Sequence, residues 1–268
     1  MTHLEDEVTA GVLDGVPLIT PEEGIVEVLG EVMEGNANPD IQEIGLLVVA
    51  STVVSKAEGR ITELSEYEVS DRARDIIGKI ERDTGEKRDP RFVEAVLGES
   101  QELLIESPFL LSVTRFGHVA PNAGIDRSNI QGDGTVLLLP EDPSKSAEKI
   151  SSSLGVPVVV TDTCGRPFRK GQRGVALGWS GFDAIDVWSG DQDLFGYELE
   201  VTEEAVADEI AAFANLLMGE AGDGTPAAYF IDVEGFLPEN GKNEGDDEIF
   251  RERDDDLVRE ALADWSFR

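Results

Sequence analysis

The sequence predicts a mixed α/β fold of the α+β type, in which strands and helices interleave without strict alternation. Three observations support this prediction. Apolar, β-branched runs typical of buried strands lie between segments with helical periodicity. The chain has 268 residues, 40% of them hydrophobic, so it can bury a substantial core. Neither G-x-x-x-x-G-K-[ST] nor G-x-G-x-x-G occurs, so we expect neither a P-loop nor a Rossmann nucleotide site.

Short apolar segments are predicted to be strands because they are rich in valine, isoleucine and leucine. The segment 109–121 is expected to form two strands with a turn near Gly117, where glycine permits a tight bend. The other predicted strands are 46–54, 135–140, 156–162 and 227–232. A glycine-rich segment follows from Gly165 to Gly196, and 238–248 is predicted to be a polar loop.

Helices are predicted where capping residues flank a helical period. Ser70 and the Asp89-Pro90 pair are suitable starts, and Gly155 is a suitable stop. Thr202 and Glu204 suggest a capping box at the start of the clearest helix. The predicted helices are 70–83, 89–105, 142–155, 202–219 and 251–265.

Charge is the most unusual feature of the composition. The chain has 56 acidic and 22 basic residues, a formal net charge of −34. Such an excess repels nucleic acid and anionic membranes, so we expect neither as a partner. The acids are spread along the chain, which favours adaptation to high salt, where the Debye length is about 3 Å at 1 M. An acidic disordered tail is the alternative.

The sequence is typical of a cytoplasmic protein. It contains no run of 18 apolar residues, and its N-terminus lacks the charged and apolar regions of a signal peptide. The single cysteine, Cys164, excludes an internal disulfide framework. We therefore expect a cytoplasmic location and no membrane association.

The first polar cluster, 122–129, reads NAGIDRSN. Asp126 follows a predicted strand, where its carboxylate could meet Mg²⁺ or Mn²⁺, which prefer oxygen ligands. Asn122 and Asn129 could bond substrate oxygens or amides. The alternative is a network of Asx turns that only holds the loop.

The second cluster, 161–171, reads TDTCGRPFRKG. Asp162 and Thr163 stand where an apolar strand ends, and ligands of α/β sheets gather at such ends. Arg166, Arg169 and the adjacent lysine follow within one loop. Oxygen donors beside cations suit a metal and a phosphate, so the two arginines are candidate phosphate or substrate contacts. The alternative is a surface salt-bridge network.

The third cluster contains Ser51, Ser55 and Lys56, which come at and after the end of the first apolar run. A lysine at such a position could neutralise phosphate charge. It could equally pair with a neighbouring acid.

The fourth cluster is 218–225, directly after the clearest helix. Its glycines would let backbone N–H groups approach a ligand, and Glu220 and Asp223 are further oxygen donors. A helix C-cap followed by a turn is the alternative.

The sequence offers no protein nucleophile for a hydrolase of the Ser-His-Asp type. The pattern G-x-S-x-G is absent. The two histidines, His3 and His118, lie outside all four clusters, and His118 is expected to be structural.

Several motifs in order resemble the coenzyme F420-0:L-glutamate ligase family, and the resemblance extends from about residue 12 to the C-terminal helix. They are GVPLI (15–19), VVASTVVSKAEGR (48–60), NAGIDRSN (122–129), LLLPEDPSKSA (137–147), VVVTDTCGRPFRKG (158–171) and VADEIAAFANLLMGEAGDG (206–224). After the strand that ends near Asp232, the sequence departs from the arginine-glycine pair expected in that family, so a ligand contact from this loop is not expected.

The resemblance implies a GTP-dependent ligase that adds L-glutamate to the carboxylate of a deazaflavin coenzyme precursor, F420-0, and then a second glutamate in γ-linkage. It implies an acyl phosphate intermediate with release of GDP and phosphate. It also implies a family-specific, two-part fold that forms an intertwined homodimer, with Mg²⁺ or Mn²⁺, in two sites, and K⁺ as cofactors. Residues 1–268 would form one ligase domain, with room for two subdomains.

The resemblance also assigns residues. It implies GTP contacts from Val16, Pro17, Leu18, Ile19, Ser51, Lys56, Asn129, Met218, Gly219, Glu220, Ala221, Gly222, Asp223, Gly224 and Thr225. It implies divalent metal ligands at Asp126, Asp162, Thr163 and Glu220. Two other functions stay open at this point: a metal-dependent phosphatase or phosphotransferase on the same scaffold, and a non-catalytic cofactor-binding protein.

Overall fold

The structure is a computed structural model that describes residues 7–35, 43–128, 130–222, 224–238 and 249–263. Its helices are α1 (Ile25–Gly35), α2 (Ser51–Ala57), α3 (Asp71–Thr84), α4 (Pro90–Gly98), α5 (Pro143–Leu154), α6 (Val206–Met218) and α7 (Leu257–Ala263). Its strands are β1 (Thr9–Val12), β2 (Ile44–Ala50), β3 (Ile61–Glu63), β4 (Ser100–Ile105), β5 (Leu111–Thr114), β6 (Val119–Pro121), β7 (Thr135–Leu137), β8 (Val158–Arg166), β9 (Arg169–Ser180), β10 (Asp186–Val187), β11 (Glu203–Glu204) and β12 (Ala227–Ile231). The mixed α/β prediction is confirmed.

The chain divides into two compact units. Unit 1 comprises Met1–Ala57 and Asp142–Ile249, and unit 2 comprises Glu58–Glu141 and Phe250–Arg268. Unit 1 contains a five-stranded sheet in the order β1-β12-β2-β8-β9. Of the neighbouring strand pairs described in this sheet, only β2 and β8 run parallel. This is not the all-parallel pattern of a Rossmann sheet.

Helices cover both faces of the unit 1 sheet. Alternate residues of β2 point to opposite faces, as in any strand. Leu47 and Val49 join one core cluster with residues of α1, α2 and α5. Leu46 and Val48 join a second cluster with residues of α6. Because both faces of β2 are buried, the strand reads as a continuous apolar run.

Unit 2 packs helices against small sheets. Strands β4, β5 and β6 form a three-stranded antiparallel sheet, and β3 pairs with β7. The core of this unit joins apolar residues of α3 and α4 to Val136 and Leu138. The guanidinium of Arg259 on α7 donates to Glu102 on β4 at 2.8 Å, which ties the C-terminal helix to the sheet.

Two predicted helices begin with the caps that the sequence indicated. The Ser70 hydroxyl accepts from the Ala73 N–H, and the Asp89 carboxylate accepts from the Arg91 N–H. Gly155 ends α5 in the left-handed conformation, with φ of 74°. The two strands predicted within 109–121 are also confirmed, with Gly117 in their turn at φ 95°.

The strand predicted over 46–54 is wrong in its second half. The chain leaves β2 after Ala50 and forms α2 from Ser51 onward. Val53 and Val54 of that helix pack into the same core cluster as β2. Tertiary packing therefore overrides the β-propensity of this valine-rich segment.

Three helix predictions have wrong boundaries. The helix predicted over 89–105 ends at Gly98, and Ser100–Ile105 forms β4 instead. The Thr202 capping box is wrong because Glu203–Glu204 is a strand paired with β10, so α6 begins at Val206. The helix predicted over 251–265 begins only at Leu257, where Asp256 accepts from the Val258 N–H.

The remaining predictions concern short elements. The strand predicted over 135–140 covers only Thr135–Leu137, whereas that predicted over 156–162 extends to Arg166. Most of the predicted 238–248 loop lies outside the described residues.

No helix in the described ranges is long and apolar enough to span a membrane.

Candidate active site

Four segments of unit 1 leave the five-stranded sheet at the same edge. We call this the site edge. It is the side of the sheet at which β1 and β2 end and β12 begins, and we define it by Val12, Ala50, Thr161 and Ala227. Ala50 pairs with Thr161, and the Ala50 N–H donates to the Pro226 carbonyl at 2.8 Å. The Leu13 N–H donates to the Ala227 carbonyl at 2.9 Å. The segments are 13–19 after β1, Ser51–Ala57 after β2, the part of β8 beyond Thr161, and 219–226 before β12.

These segments carry most of the site residues that the sequence predicted, although they are far apart in the chain. They include the candidate nucleotide-binding residues 16–19, Ser51 and Lys56, and the loop after α6. They also include the candidate metal ligands Asp162 and Glu220. Ligands of α/β proteins bind at such strand ends, so the site edge is the candidate active site.

The segment 16–19 offers both buried and accessible groups. Leu18 is 86% exposed, whereas Ile19 is buried in the core cluster next to the sheet. Val16 packs partly against that cluster, and Pro17 is exposed. Ile19 therefore anchors the segment, and Leu18 and the backbone remain accessible to a ligand.

The short helix α2 places two buried hydroxyl groups behind the site edge. Ser51 and Ser55 are 2% and 1% exposed. The Ser55 hydroxyl oxygen has no hydrogen-bond partner within the described part of the chain. Lys56 lies one residue further along and is half-buried.

Asp162 and Thr163 lie on β8 just beyond the site edge. Their cross-strand partners on β9 are Val175 and Gly174. Burial raises the pKa of the neighbouring Cys164 thiol, and the Asp162 carboxylate raises it further. The thiol is therefore protonated at neutral pH.

A chain of contacts connects Thr163 to Glu220. Thr163 pairs with Gly174, and a Cβ atom at Gly174 would lie 2.8 Å from the Asn215 Cβ and 2.2 Å from the Ala211 carbonyl oxygen. Only glycine therefore lets α6 approach β9 so closely. The Asn215 side-chain amide donates to Glu220 at 2.8 Å.

Asn215 and Gly174 are not among the site residues that the sequence predicted. Glycine within a strand is a known signal of close backbone approach, and it could have pointed to Gly174. Asp208, at the start of α6, strengthens the same contact. Its carboxylate accepts from Arg173 at 3.1 Å and from the Ala176 N–H at 2.9 Å. Gly174 and Asp208 thus hold α6 against β9, and Asn215 on that helix contacts the candidate ligand Glu220.

The loop after α6 begins with a helix C-cap. Gly219 has φ 75° and ψ −179°, a conformation that is essentially restricted to glycine. The Thr225 hydroxyl donates to the Met218 carbonyl at 2.8 Å and closes the loop. Ala221 and Gly222 are exposed, and among the described residues other than chain neighbours no heavy atom lies within 4 Å of the Cβ positions of Gly222 and Gly224. The loop backbone is therefore open to a ligand. Asp223 lies outside the described residues.

Asp126 belongs to unit 2, where it follows a left-handed turn. Asn122, Ala123 and Gly124 have φ angles of 54°, 55° and 70°. Asp126 accepts hydrogen bonds from the Arg127 and Ser128 N–H groups and from the Ser128 hydroxyl at 2.6 to 2.8 Å.

This network is the Asx turn that was the alternative interpretation of the cluster. A role for Asp126 in metal binding stays a prediction. The amide oxygen of Asn122 is buried without a hydrogen-bond partner among the described residues, and Asn129 lies outside them.

The candidate metal donors suit a hard divalent ion. No group of three His, Cys, Asp or Glu side chains that could hold a metal occurs in the described ranges. Magnesium usually takes only one or two carboxylates and completes its coordination with water and substrate phosphates. Asp162, the Thr163 hydroxyl and Glu220 are oxygen donors of the kind that such a site uses, and their role as metal ligands stays a prediction.

The cations of the second cluster extend beyond the site edge on the β8–β9 hairpin. The Arg166 guanidinium donates to the Gly171 carbonyl at 3.4 Å. Within the described part of the chain, no carboxylate lies within 4.0 Å of Arg166, Arg169 or Lys170 in an ion pair. The described residues therefore form no salt-bridge network at this tip.

Comparison with known proteins gives the family. The family described as F420-0:Gamma-glutamyl ligase matches residues 15–232. The chain belongs to this family. All the candidate site residues lie within the matched range, so the resemblance seen in the motifs is confirmed.

Named members of this ligase family cover nearly the whole chain. The coenzyme F420:L-glutamate ligase of Natronomonas pharaonis is 53% identical over 255 residues, covering 95% of this chain and 96% of the relative. That of Haloarcula marismortui is 48% identical over 260 residues, with 95% and 96% covered. That of Archaeoglobus fulgidus is 45% identical over 257 residues, with 93% and 96% covered. The first two come from halophilic archaea.

Proposed function

We propose that this protein is a GTP-dependent ligase that adds L-glutamate to coenzyme F420-0 and then adds a second glutamate in γ-linkage. The observation that carries the proposal is that four separate segments, which bear the candidate oxygen donors and a glycine-rich loop, start from the same edge of the sheet. Membership of the F420-0:Gamma-glutamyl ligase family supports the substrates.

The proposed reaction has two steps. The acceptor carboxylate attacks the γ-phosphorus of GTP, the bond to the β–γ bridging oxygen breaks, and GDP leaves. The amine of L-glutamate then attacks the acyl phosphate carbon, phosphate leaves with the bonding electrons, and the nitrogen loses a proton. Both steps depend on positioning and on charge compensation rather than on a protein nucleophile.

The proposed roles of the residues follow from their chemistry. The Lys56 ammonium and the N–H groups of the loop after Gly219 would bind the nucleotide phosphates. Asp162, Thr163 and Glu220 in unit 1 would hold a divalent ion, and metal binding by Asp126 in unit 2 is a separate part of the proposal. When bound, Mg²⁺ or Mn²⁺ neutralises phosphate charge and orients the γ-phosphoryl group. A requirement for K⁺ is part of the proposal on the basis of the family resemblance, with no residue assigned to it.

We also propose that the protein acts as a homodimer. Residues 186–204 form a hairpin arm that begins and ends at the paired strands β10 and β11. Near its end, Leu194 is 99% exposed and Phe195 is 95% exposed. Large apolar side chains on so acidic a protein favour a contact with a second copy of the chain. Sedimentation velocity in concentrated KCl measures this state.

The net charge of −34 supports the expectation that neither nucleic acid nor an anionic membrane is a partner. The cytoplasmic location stays a prediction from the sequence.

Mass spectrometry of the reaction tests the proposal. The protein is incubated in concentrated KCl with Mn²⁺, GTP, L-glutamate and F420-0. We expect the precursor mass to rise in glutamyl steps while GDP appears. Asp162→Asn should stop both signals, whereas Glu148→Gln, which removes an exposed charge on α5, should leave them unchanged.

Other outcomes would contradict the proposal in distinct ways. Release of GDP without glutamyl products would indicate a phosphatase or phosphotransferase. Binding of the coenzyme precursor without consumption of GTP, by protein shown to be folded, would indicate a cofactor-binding protein.

A further inference from the structure

Strands β8 and β9 continue as a hairpin well beyond the site edge. β2 pairs with β8 only as far as Thr161, whereas β8 and β9 stay paired through Arg166 and Arg169. The five residues from 162 to 166 advance the chain by about 16 Å at roughly 3.3 Å per residue. We call residues 165–172 the hairpin tip. It starts from the strand that carries Asp162, so it projects from the candidate active site.

The hairpin tip has an unusual charge for this protein. No Asp or Glu occurs from residue 163 to residue 182, although the chain as a whole carries a net charge of −34. Arg166, Arg169 and Lys170 are all in the tip, and within the described residues none of them makes an ion pair. In so acidic a chain, cations that have no acidic partner nearby are available to an anionic ligand.

An aromatic side chain stands at the end of the same hairpin. Pro167 and Phe168 form its two-residue turn, and Phe168 is 106% exposed. Its φ is 64°, in the left-handed region that is unfavourable for a bulky residue. Because the Phe168 side chain is exposed, its burial does not offset this backbone strain in the free protein. An exposed ring between cations is typical of a surface that binds a flat, anionic molecule.

We propose that the hairpin tip binds the deazaflavin coenzyme substrate, with Phe168 stacked on its ring system and the cations paired with its negative charges. This inference rests on the proposed function. The reaction consumes one carboxylate and adds two with each glutamate, so the acceptor gains one negative charge in each round. Arg169 and Lys170, which make no ion pair with the described residues, accommodate this growing charge.

The alternative ligand of the hairpin tip is GTP, which is also aromatic and anionic. The family resemblance assigns nucleotide contacts to residues 16–19, Ser51, Lys56, Asn129 and 218–225, and to none in the tip. Asn129 lies outside the described residues, and the other segments start at the site edge itself, whereas the tip extends away from it. The coenzyme substrate is therefore the better assignment, and the experiment distinguishes the two.

The test uses the full chain in concentrated KCl and two variants of the tip. The double variant Arg169→Ala/Lys170→Ala removes two charges, and Phe168→Asn removes the ring with a residue that tolerates a positive φ. Lys149→Ala, which removes an exposed cation from α5 in the same unit, is the matched control. Isothermal titration measures the binding of F420-0 without GTP. Steady-state kinetics give KM for F420-0, for its monoglutamyl product and for GTP.

We expect both tip variants to bind F420-0 about tenfold more weakly, a typical effect of losing charge-assisted or aromatic contacts. KM for GTP should not change. The double variant should raise KM more for the monoglutamyl acceptor than for F420-0, whereas Phe168→Asn should affect both acceptors equally. The control should match the unsubstituted protein.

Unchanged binding of F420-0 by both variants, with normal glutamylation by the unsubstituted protein, would overturn the inference and leave the proposed function intact. A raised KM for GTP alone would assign the tip to the nucleotide and also overturn it. Dissociation of a dimer by the variants, without weaker acceptor binding, would make the tip a subunit contact instead. Failure of the unsubstituted protein to bind or glutamylate F420-0 would overturn both proposals.

Discussion

Replacing His118 with glutamine should make the protein less sensitive to mild acid. His118 is 8% exposed and lies 5.7 Å from the Phe250 ring, between ring centroids, within unit 2. Burial lowers the pKa of its imidazole from 6.5 to about 4. The folded protein therefore holds this side chain neutral at pH values where the unfolded chain would protonate it.

The sign and size of the effect follow from this difference in pKa. The folded pKa is depressed, so the contribution to the free energy of unfolding is fully present above the unfolded pKa. It is lost as the pH falls from about 6.5 towards about 4. Linkage gives a loss of about 2 kcal/mol by pH 5 and about 3 kcal/mol near pH 4. Carboxylates that titrate in this range are common to the unsubstituted protein and the variant, so they cancel in the comparison.

Denaturant unfolding in concentrated KCl at pH 7.5 and pH 5 measures the effect. The free energy of unfolding of His118→Gln should fall by about 2 kcal/mol less than that of the unsubstituted protein over this interval. Comparing the pH dependence of each protein removes any constant packing cost of the substitution. His3→Gln is the control, because the chain has only two histidines. An equal fall in the unsubstituted protein and His118→Gln would refute the argument that His118 is buried and neutral.

Four other predictions concern the candidate site and the charge. Asp126→Asn and Asp162→Asn should each reduce turnover to background while circular dichroism in high KCl stays unchanged; normal turnover in both would remove the metal assignment. Lys56→Ala should raise KM for GTP by about tenfold, as expected for a lost charge-assisted contact, and an unchanged KM would return this lysine to a structural role. Asn215→Ala should weaken Mn²⁺ binding, measured by calorimetry, by a few fold, because it removes the hydrogen bond to Glu220. Asn215→Asp should bind Mn²⁺ no better than Asn215→Ala, because an aspartate carboxylate cannot donate a hydrogen bond to Glu220. Removal of KCl should unfold or aggregate the protein, because its net charge of −34 is then no longer screened. A cooperative unfolding transition that persists in dilute buffer would contradict the salt-adaptation hypothesis.

Local chemistry was enough to predict some elements and not others. Helix α5 follows from a capping aspartate, a proline at its first position and a terminal glycine, all adjacent in sequence. Helix α2 was predicted as a strand because its valines have high β-propensity, and only their burial against the sheet makes this segment helical. The start of α6 was misplaced because Glu203–Glu204 pairs with β10, a partner about 17 residues earlier in the chain.

The same distinction applies to the candidate site. Asp162, Glu220 and Lys56 could be chosen from the sequence because oxygen donors, cations and glycines are recognisable without a structure. That these residues lie at one edge of the sheet could not be predicted from the sequence. It depends on the pairing of Ala50 with Thr161 and on the hydrogen bond from the Ala50 N–H to the Pro226 carbonyl. Asn215 was missed because it contacts Glu220 only after Gly174 brings α6 against β9.

The sequence by itself determined the mixed α/β class, the excess of acid and the family, since composition and ordered motifs are properties of the chain alone. The tertiary structure decided which of the four polar clusters lie together. Strand register joins segments up to about 200 residues apart at one edge of a sheet, and no local pattern encodes that pairing. It also decided that the hairpin tip projects from this edge, because β8 and β9 stay paired beyond Thr161, where the pairing of β8 with β2 ends.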